Sequence, residues 1–293
     1  MRVLCFGSAN IDYVYPVPHF VSAGETLAAG PREVHPGGKG LNQAVALARA
    51  GAETAFAGRA GKDGLFLKKL LEDSSVTTVH FELLDGEPTG HAVIQRDPSG
   101  QNCILLYAGA NGTVDPAFSD TVLSGYGRGD ILLVQNEIPY VPHIIRKAKS
   151  AGMTVAVNPS PVSEEMRNWP WGCVDLIILN ETEGAFFARY EKLTAADIPA
   201  LRSRFPDTDI VLTLGAEGSV YGGSAGTFSV PAYPAEAVDT TGAGDTYTGY
   251  LIAELARGSS VRSAMETASK AAAVAVSRSG AASSIPFLSE VKA

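Results

Sequence analysis

The chain is poor in the features that mark several large protein classes. Its 293 residues include three cysteines, Cys5, Cys103 and Cys173, an odd number, far apart and without a CxxC. That argues against a disulfide framework and against a structural zinc site. The five histidines, His19, His35, His80, His91 and His143, show no ligand spacing. No apolar run reaches the ~18 residues of a membrane-spanning helix. The opening Met1-Arg2-Val3-Leu4-Cys5-Phe6-Gly7 lacks a signal peptide's apolar stretch, so a cytoplasmic location is expected. Basic residues are outnumbered, 23 Lys and Arg against 31 Asp and Glu, for a net charge of −8. Such a balance disfavours nucleic acid and membrane surfaces as partners, but not a small anion held in a local pocket. With 45% hydrophobic and 18% charged residues the chain is globular, and disorder or coiled coil is excluded.

What is present reads as alternating strands and helices. Val3–Phe6, Thr54–Gly58, Ile131–Gln135, Thr154–Asn158, Leu176–Leu179 and Ile210–Leu214 are short apolar runs, several separated by helical or polar stretches. Apolar strands alternating with helices predict a parallel sheet covered on both faces. Helices are predicted from Gly38, with Leu41, Ala44, Val45 and Ala48 on one face, at Leu65–Leu71, and in two Ala-rich stretches, 244–257 and 261–278. Two segments do not fit this sheet. Residues 11–36 and 80–107 carry alternating β-type pieces, prolines, glycines and an Asp97-Pro98-Ser99-Gly100 turn. They are expected to form a small second sheet, discontinuous in sequence, on a single domain spanning 1–293.

Three segments carry chemistry. Asp239-Thr240-Thr241-Gly242-Ala243-Gly244-Asp245-Thr246 opens a helix. Its glycines allow successive N–H groups to point one way, and the helix dipole adds to them, which makes a seat for an anion such as a transferring phosphoryl group. Asp245 beside that seat suits a base that takes a proton from an attacking hydroxyl; it equally suits a plain N-cap. Gly37-Gly38-Lys39-Gly40-Leu41-Asn42-Gln43-Ala44 opens another helix. It is not a Walker A loop, since no Ser or Thr follows the lysine. Its ammonium and carboxamide suit a polyhydroxyl ligand, or an ordinary helix start with a solvated lysine. Asn180-Glu181-Thr182-Glu183 follows an apolar strand, where open α/β sheets place ligands. Glu183 there could orient hydrated Mg²⁺ and Asn180 could touch phosphate, or the pair could cap a helix. Thr213, Gly215 and Gly218 could back a nucleotide or form a hairpin. Asp12 and Glu137 are two further carboxylates at strand ends, each of which also fits a cap. Gly222-Gly223-Ser224-Ala225-Gly226 matches GxSxG, but it lies between two strands with no helix after it, so a nucleophile elbow is rejected.

Taken in order, these segments resemble the ribokinase (PfkB) carbohydrate-kinase family along the whole chain, from Gly7-Ser8-Ala9-Asn10-Ile11-Asp12 to Ser283-Ser284-Ile285-Pro286. Tyr107-Ala108-Gly109-Ala110-Asn111 and Gln135-Asn136-Glu137 are similar to the ribokinase branch of it. The resemblance implies a three-layer α/β/α sandwich with a small β-sheet lid. It also implies ATP-dependent phosphorylation of a primary sugar hydroxyl, that of D-ribose above all. By the same resemblance Asp12, Gly38, Lys39, Asn42, Glu137 and Asp245 would hold the sugar. Asp245 would be the base, with the Gly242, Ala243 and Gly244 loop at the phosphoryl group. Asn180, Thr213, Gly215, Gly218, Gly244 and Ser269 would hold the nucleotide, and Glu183 the water shell of Mg²⁺. Asp239, Thr241, Ala275, Arg278, Gly280 and Ser284 would hold an activating K⁺. A homodimer through the lids is a further expectation. A kinase of another sugar or of a nucleoside, and a non-catalytic sugar sensor, are the rival readings.

Overall fold

The structure is a computed structural model that describes residues 1–292. Along the chain run β1 (Arg2–Phe6), β2 (Asn10–Pro16), β3 (Glu33–Gly37), α1 (Lys39–Arg49), β4 (Glu53–Gly61), α2 (Leu65–Asp73), β5 (Thr77–Leu84), β6 (Gly90–Arg96) and β7 (Asn102–Tyr107). There follow α3 (Pro116–Leu123), β8 (Ile131–Val134), α4 (Val141–Ser150), β9 (Thr154–Val157), β10 (Leu176–Asn180), α5 (Glu181–Ala188), α6 (Ile198–Arg204) and β11 (Asp209–Thr213). The chain ends with β12 (Ser219–Gly223), β13 (Gly226–Val230), α7 (Ala243–Ala256), α8 (Val261–Val276) and α9 (Leu288–Val291).

Nine strands form one sheet in the order β13-β12-β11-β10-β9-β8-β1-β4-β5. Its strands from β5 to β11 pair in parallel, and the β12–β13 hairpin extends it antiparallel. The side-chain period of two sorts each strand between two cores. Val3 and Cys5 of β1 join Leu41, Val45, Tyr250 and Leu251 on one face, while Leu4 and Phe6 join Ile144, Ile145, Phe187 and Leu201 on the other. Burial on both faces is why these strands are continuous apolar runs. The result is the expected three-layer sandwich. Ser224 lies in the β12–β13 turn, where its N–H and hydroxyl donate to Asp209, so no nucleophile elbow exists there.

The second sheet has four strands, β3-β2-β6-β7, with β2 parallel to β6 and the other pairs antiparallel. One boundary differs from expectation. Residues 80–84 belong to β5 at the edge of the large sheet, so the second segment of the small sheet starts at Gly90 and not at 80. Of the β5 residues only Phe81 is buried, and a half-exposed edge strand has the same alternating pattern as a strand of a small exposed sheet.

The crossing of α1 and α7 sets the site. A Cβ on Gly249 would stand 2.4 Å from Ala46 Cβ, so the two helices touch backbone to side chain only because residue 249 is glycine. Ala46 is one turn after Asn42 and Gln43, and Gly249 is one turn after Asp245. The close crossing therefore brings those three polar side chains together at the N-terminal ends of both helices.

Candidate active site

Both helix starts are built by glycines with positive φ. Gly38, with φ 91°, precedes α1, and Gly242, with φ 75°, precedes α7. At the first start the Glu137 carboxylate accepts from Lys39 N at 2.9 Å and from the Ser8 hydroxyl. At the second, Thr246 N donates to Gly242 O at 2.8 Å, and Ala243 N donates to Thr240 O at 3.2 Å. The amides of Gly244 and Asp245 are then the first-turn donors left to face a ligand. The contribution expected of the Ala243 amide is thus spent within the loop.

Two cavities flank this loop. One, of about 860 Å³, has Gly38, Lys39, Asn42 and Glu137 on the core side and Asp12, His35, Ile94 and Arg96 on the small-sheet side. Asp239, Thr241 and Gly280 border it as well. The other, of about 560 Å³, is lined by Thr213, Gly215, Gly218, Gly244 and Ser269, with Ala216, Ala272, Ala273 and Val276 giving an apolar slot. Ala237 and Thr240 line both, so the cavities meet at the loop that precedes α7. A sugar in the first and a nucleotide in the second would share a phosphoryl group there.

Asp245 stands just behind the first cavity, 8% exposed. Its Oδ2 accepts from Asn42 Nδ2 at 3.0 Å and its Oδ1 from Gln43 Nε2 at 2.9 Å. Asn42 Oδ1 is buried without a partner, and Asn42 lines the cavity, so it is an acceptor waiting for a donor. The neighbouring charges are mostly of one sign. Burial, then Glu137, push Asp12 up to about 6, with Asp245 adding and His35 opposing. Burial also raises Glu137, against hydrogen bonds from Ser8 and Lys39 and the Lys39 charge. Burial works against the Lys39 ammonium too, but Asp245, Glu137 and Glu183 outweigh it and hold Lys39 above its ordinary value.

The remaining expected residues fall into three places. Asn180 and Glu183 form a capping box at the start of α5: Asn180 Oδ1 accepts from Glu183 N at 2.9 Å, and Glu183 Oε2 from Asn180 N at 3.0 Å. They line neither cavity. Glu183 is nevertheless 6% exposed, and it feels the charges of Lys39 and Asp245; burial raises its carboxyl. Ser269 accepts from Tyr233 N at 2.9 Å and donates to Pro231 O at 3.2 Å, holding the loop that walls the second cavity. Asp239 ties two loops, accepting from Thr241 N and Gly280 N, each at 2.9 Å. Burial opposes its charge, but those bonds hold it below the usual carboxylate range. Ala275, Arg278 and Ser284 make other contacts. Ala275 O takes Arg278 N at 3.1 Å, Arg278 pairs with Glu290 at 2.6 Å, and Ser284 Oγ donates to Ala281 O at 2.8 Å.

Sequence reasoning missed Ser8, Gln43, Gln135 and Asn158, which contact Glu137, Asp245 or one another. One signal existed: Asn42 and Gln43 are polar residues within an otherwise apolar stretch of α1. Such a pair on a buried helix needs partners.

A glycine-built helix start with free amides, a polar cavity and an apolar slot joined at one loop fit a small-molecule phosphotransferase of the α/β sandwich type. The chain matches the pfkB family carbohydrate kinase model over residues 1–288, and it belongs to that family. It is 34% identical to a ribokinase of Haemophilus influenzae, over 97% of this chain and 95% of that one. A solved ribokinase of Cryptococcus neoformans in complex with ADP superposes with a TM-score of 0.90 at 34% identity, covering 99% of this chain and 98% of that one. A ribokinase of Arabidopsis thaliana complexed with ribose and ATP does so with a TM-score of 0.84 at 28% identity, covering 99% and 97%.

Proposed function

We propose that this chain transfers the γ-phosphoryl group of ATP to the primary 5-hydroxyl of D-ribose, giving D-ribose 5-phosphate. The observation that carries the reading is the place of Asp245. It heads α7 beside the anion-binding loop where the two cavities meet, and it is hydrogen-bonded to a residue that lines the sugar cavity. Asp245 takes the hydroxyl proton, the sugar oxygen bonds to phosphorus, and the bond from phosphorus to the leaving ADP oxygen breaks. The Gly244 and Asp245 amides, with the helix dipole, offset charge on the transferring group. Asp12 and Glu137, acceptor-only when ionised, read sugar hydroxyls; Lys39 donates, and Asn42 Oδ1 gains its missing donor. The apolar alanine slot takes the adenine.

Glu183, a buried carboxyl that feels Asp245 and Lys39, would be the group to orient the water shell of a hard divalent cation such as Mg²⁺. Bound there, the ion supplies charge neutralisation of the phosphates. Asp239, with the Thr241 and Gly280 backbones gathered on it, fits the monovalent-cation site. The lid role belongs to the small sheet, whose face lines the sugar cavity. Leu105 and Tyr107 of β7 are exposed and suit a homodimer through the lids. The enzyme would work in the cytoplasm; among the described residues no helix is long and apolar enough to cross a membrane.

A nucleoside acceptor is the second reading, favoured by the aliphatic Val14, Ile94, Ile104 and Leu106 on the cavity side of the small sheet. The test is mass detection of phosphorylated product from pentoses, hexoses, nucleosides and sugar phosphates with ATP. Phosphorylated ribose as the main product is expected. A nucleoside product with ribose untouched would replace the first reading by the second. No phosphorylated acceptor at all would favour a sugar sensor.

A further inference from the structure

Behind the Asp245 carboxylate lies a buried set of side-chain amides to which phosphoryl transfer as described above assigns nothing. Gln43 Nε2 donates both to Asp245 Oδ1 and to Asn158 Oδ1, each at 2.9 Å. Gln43 Oε1 accepts from Gln135 Nε2 at 2.7 Å. Asn158 is itself held, its Nδ2 donating to Ile178 O at 2.9 Å. Gln43 and Gln135 are wholly buried. Both ends of the Gln43 amide are therefore engaged. Turning it over would set its NH₂ against that of Gln135 and its oxygen against the carboxylate.

The two oxygens of Asp245 are thus treated differently. Oδ1 is tied, through Gln43, to Gln135 and Asn158, which follow directly on β8 and β9 in the rigid centre of the sheet. Oδ2 meets only Asn42, which lines the sugar cavity and keeps its own Oδ1 unpartnered. A carboxylate torsion is broad and roughly two-fold, so an untied Asp245 would sample many orientations. A neutral amide fixes it without adding the full charge that would weaken a base.

We propose that Gln43, locked by Gln135 and Asn158, is a positioning residue that holds Asp245 with Oδ1 toward the core and Oδ2 toward the acceptor hydroxyl. The proton then goes to Oδ2. The inference rests on the reading of Asp245 as the base. Other groups that face Asp245 are Lys39 on α1, Asp12 on β2, Glu137 after β8, Glu183 on α5 and the Cys5 thiol on β1.

The test is a cycle of Gln43→Met and Asp245→Asn, with kcat and both KM values measured beside thermal melting. Methionine keeps the length and loses donor and acceptor. Misplacement of a reacting group by about 1 Å costs about 10²-fold, so Gln43→Met is expected to lower kcat by about 10- to 100-fold. Both KM values should stay within about twofold. In the Asp245→Asn background the same change should cost nothing further. Gln43→Glu sets a second carboxyl against Oδ1 and should move the acid limb of the kcat–pH profile upward by about one unit or more. A merely structural role moves neither the split between kcat and KM nor that limb. A Gln43→Met kcat within about twofold of wild type, or an equal loss in the Asp245→Asn background, overturns the proposal. If Gln43→Met does not fold, Gln135→Met carries the test, since it frees Gln43 Oε1; a lower kcat at constant KM supports the clamp and an unchanged kcat overturns it. Near wild-type kcat in Asp245→Asn alone would instead overturn the base reading.

Discussion

Asp12 gives the cleft a pH dependence that can be worked out beforehand. Burial and the Glu137 charge lift its carboxyl to about 6 in the free protein. A sugar hydroxyl that donates to Asp12 favours the ionised form and lowers the value in the complex. Below pH 6, sugar binding must therefore release a proton. At pH 5 only about a tenth of Asp12 is ionised, so the apparent Kd for ribose should be about tenfold higher than at pH 7.5, or about 1.4 kcal/mol. Glu137 is raised as well and acts in the same direction, while His35 and Asp245 face Asp12 with opposite effects. Calorimetric titration with ribose at both pH values, in two buffers of different ionisation enthalpy, reads the affinity and the released proton together. Asp12→Asn should bind more weakly and with a flatter pH dependence. Equal wild-type affinity at pH 5 and 7.5 would refute the reasoning, and an undiminished tenfold change in Asp12→Asn would move the dependence to Glu137.

The same shift has a sign in folding. The native state holds the Asp12 proton more tightly than the unfolded chain does. Its contribution is therefore fully present below about pH 4 and lost as pH rises through about 6, an upper bound of about 3 kcal/mol for a two-unit shift. Carboxylates with lowered values, such as Asp239 and Glu254, slope the other way. The difference in melting temperature between wild type and Asp12→Asn across this window isolates the term.

Three other outcomes are expected. Asp245→Asn should lower kcat by about 10²–10⁴-fold with melting little changed, because Asn42 can turn its unpartnered Oδ1 toward the new amide; more than a tenth of wild-type kcat would sink the base assignment. Hydrogen exchange with and without ribose should show protection concentrated at 10–16, 33–37 and 90–107, and even protection along the chain would argue against a lid. A higher kcat in K⁺ than in a bulky organic cation at equal ionic strength is expected from Asp239 and its loops, and equal rates would mean that the Thr241 and Gly280 bonds suffice.

The layers were legible because their causes are local. Val3–Phe6 and Ile131–Val134 are buried on both faces, and such strands have to be apolar throughout. The two helix starts were legible because only a glycine readily takes the backbone shape at 38 and 242. Residues 80–84 of the edge strand β5 read in sequence as part of the small sheet, since local alternation does not say which sheet a strand joins. The amides at 43, 135 and 158 meet only through the order of β8 and β9 in the sheet, which no spacing along the chain encodes. For Asn180 and Glu183 the cap and the ligand-site readings are compatible. The capping box holds Glu183 in place with one oxygen engaged by Asn180 N.

The charge arrangement explains why sugar and nucleotide belong in the cleft together. Asp12, Glu137, Glu183 and Asp245 lie in one region, and the Lys39 charge is felt by three of them, Glu137, Glu183 and Asp245. Burial raises three of these carboxyls, so added negative charge there is costly. An anionic nucleotide alone would add such charge. On the proposed reading, sugar hydroxyls would give Asp12 and Glu137 donors in a fixed geometry. A cation arriving with the nucleotide would offset the charge near Glu183 and Asp245. On the proposed reading each substrate would remove part of the cost that the other's binding meets, and the coupling would follow from three carboxylates sharing one lysine with Asp12 beside them.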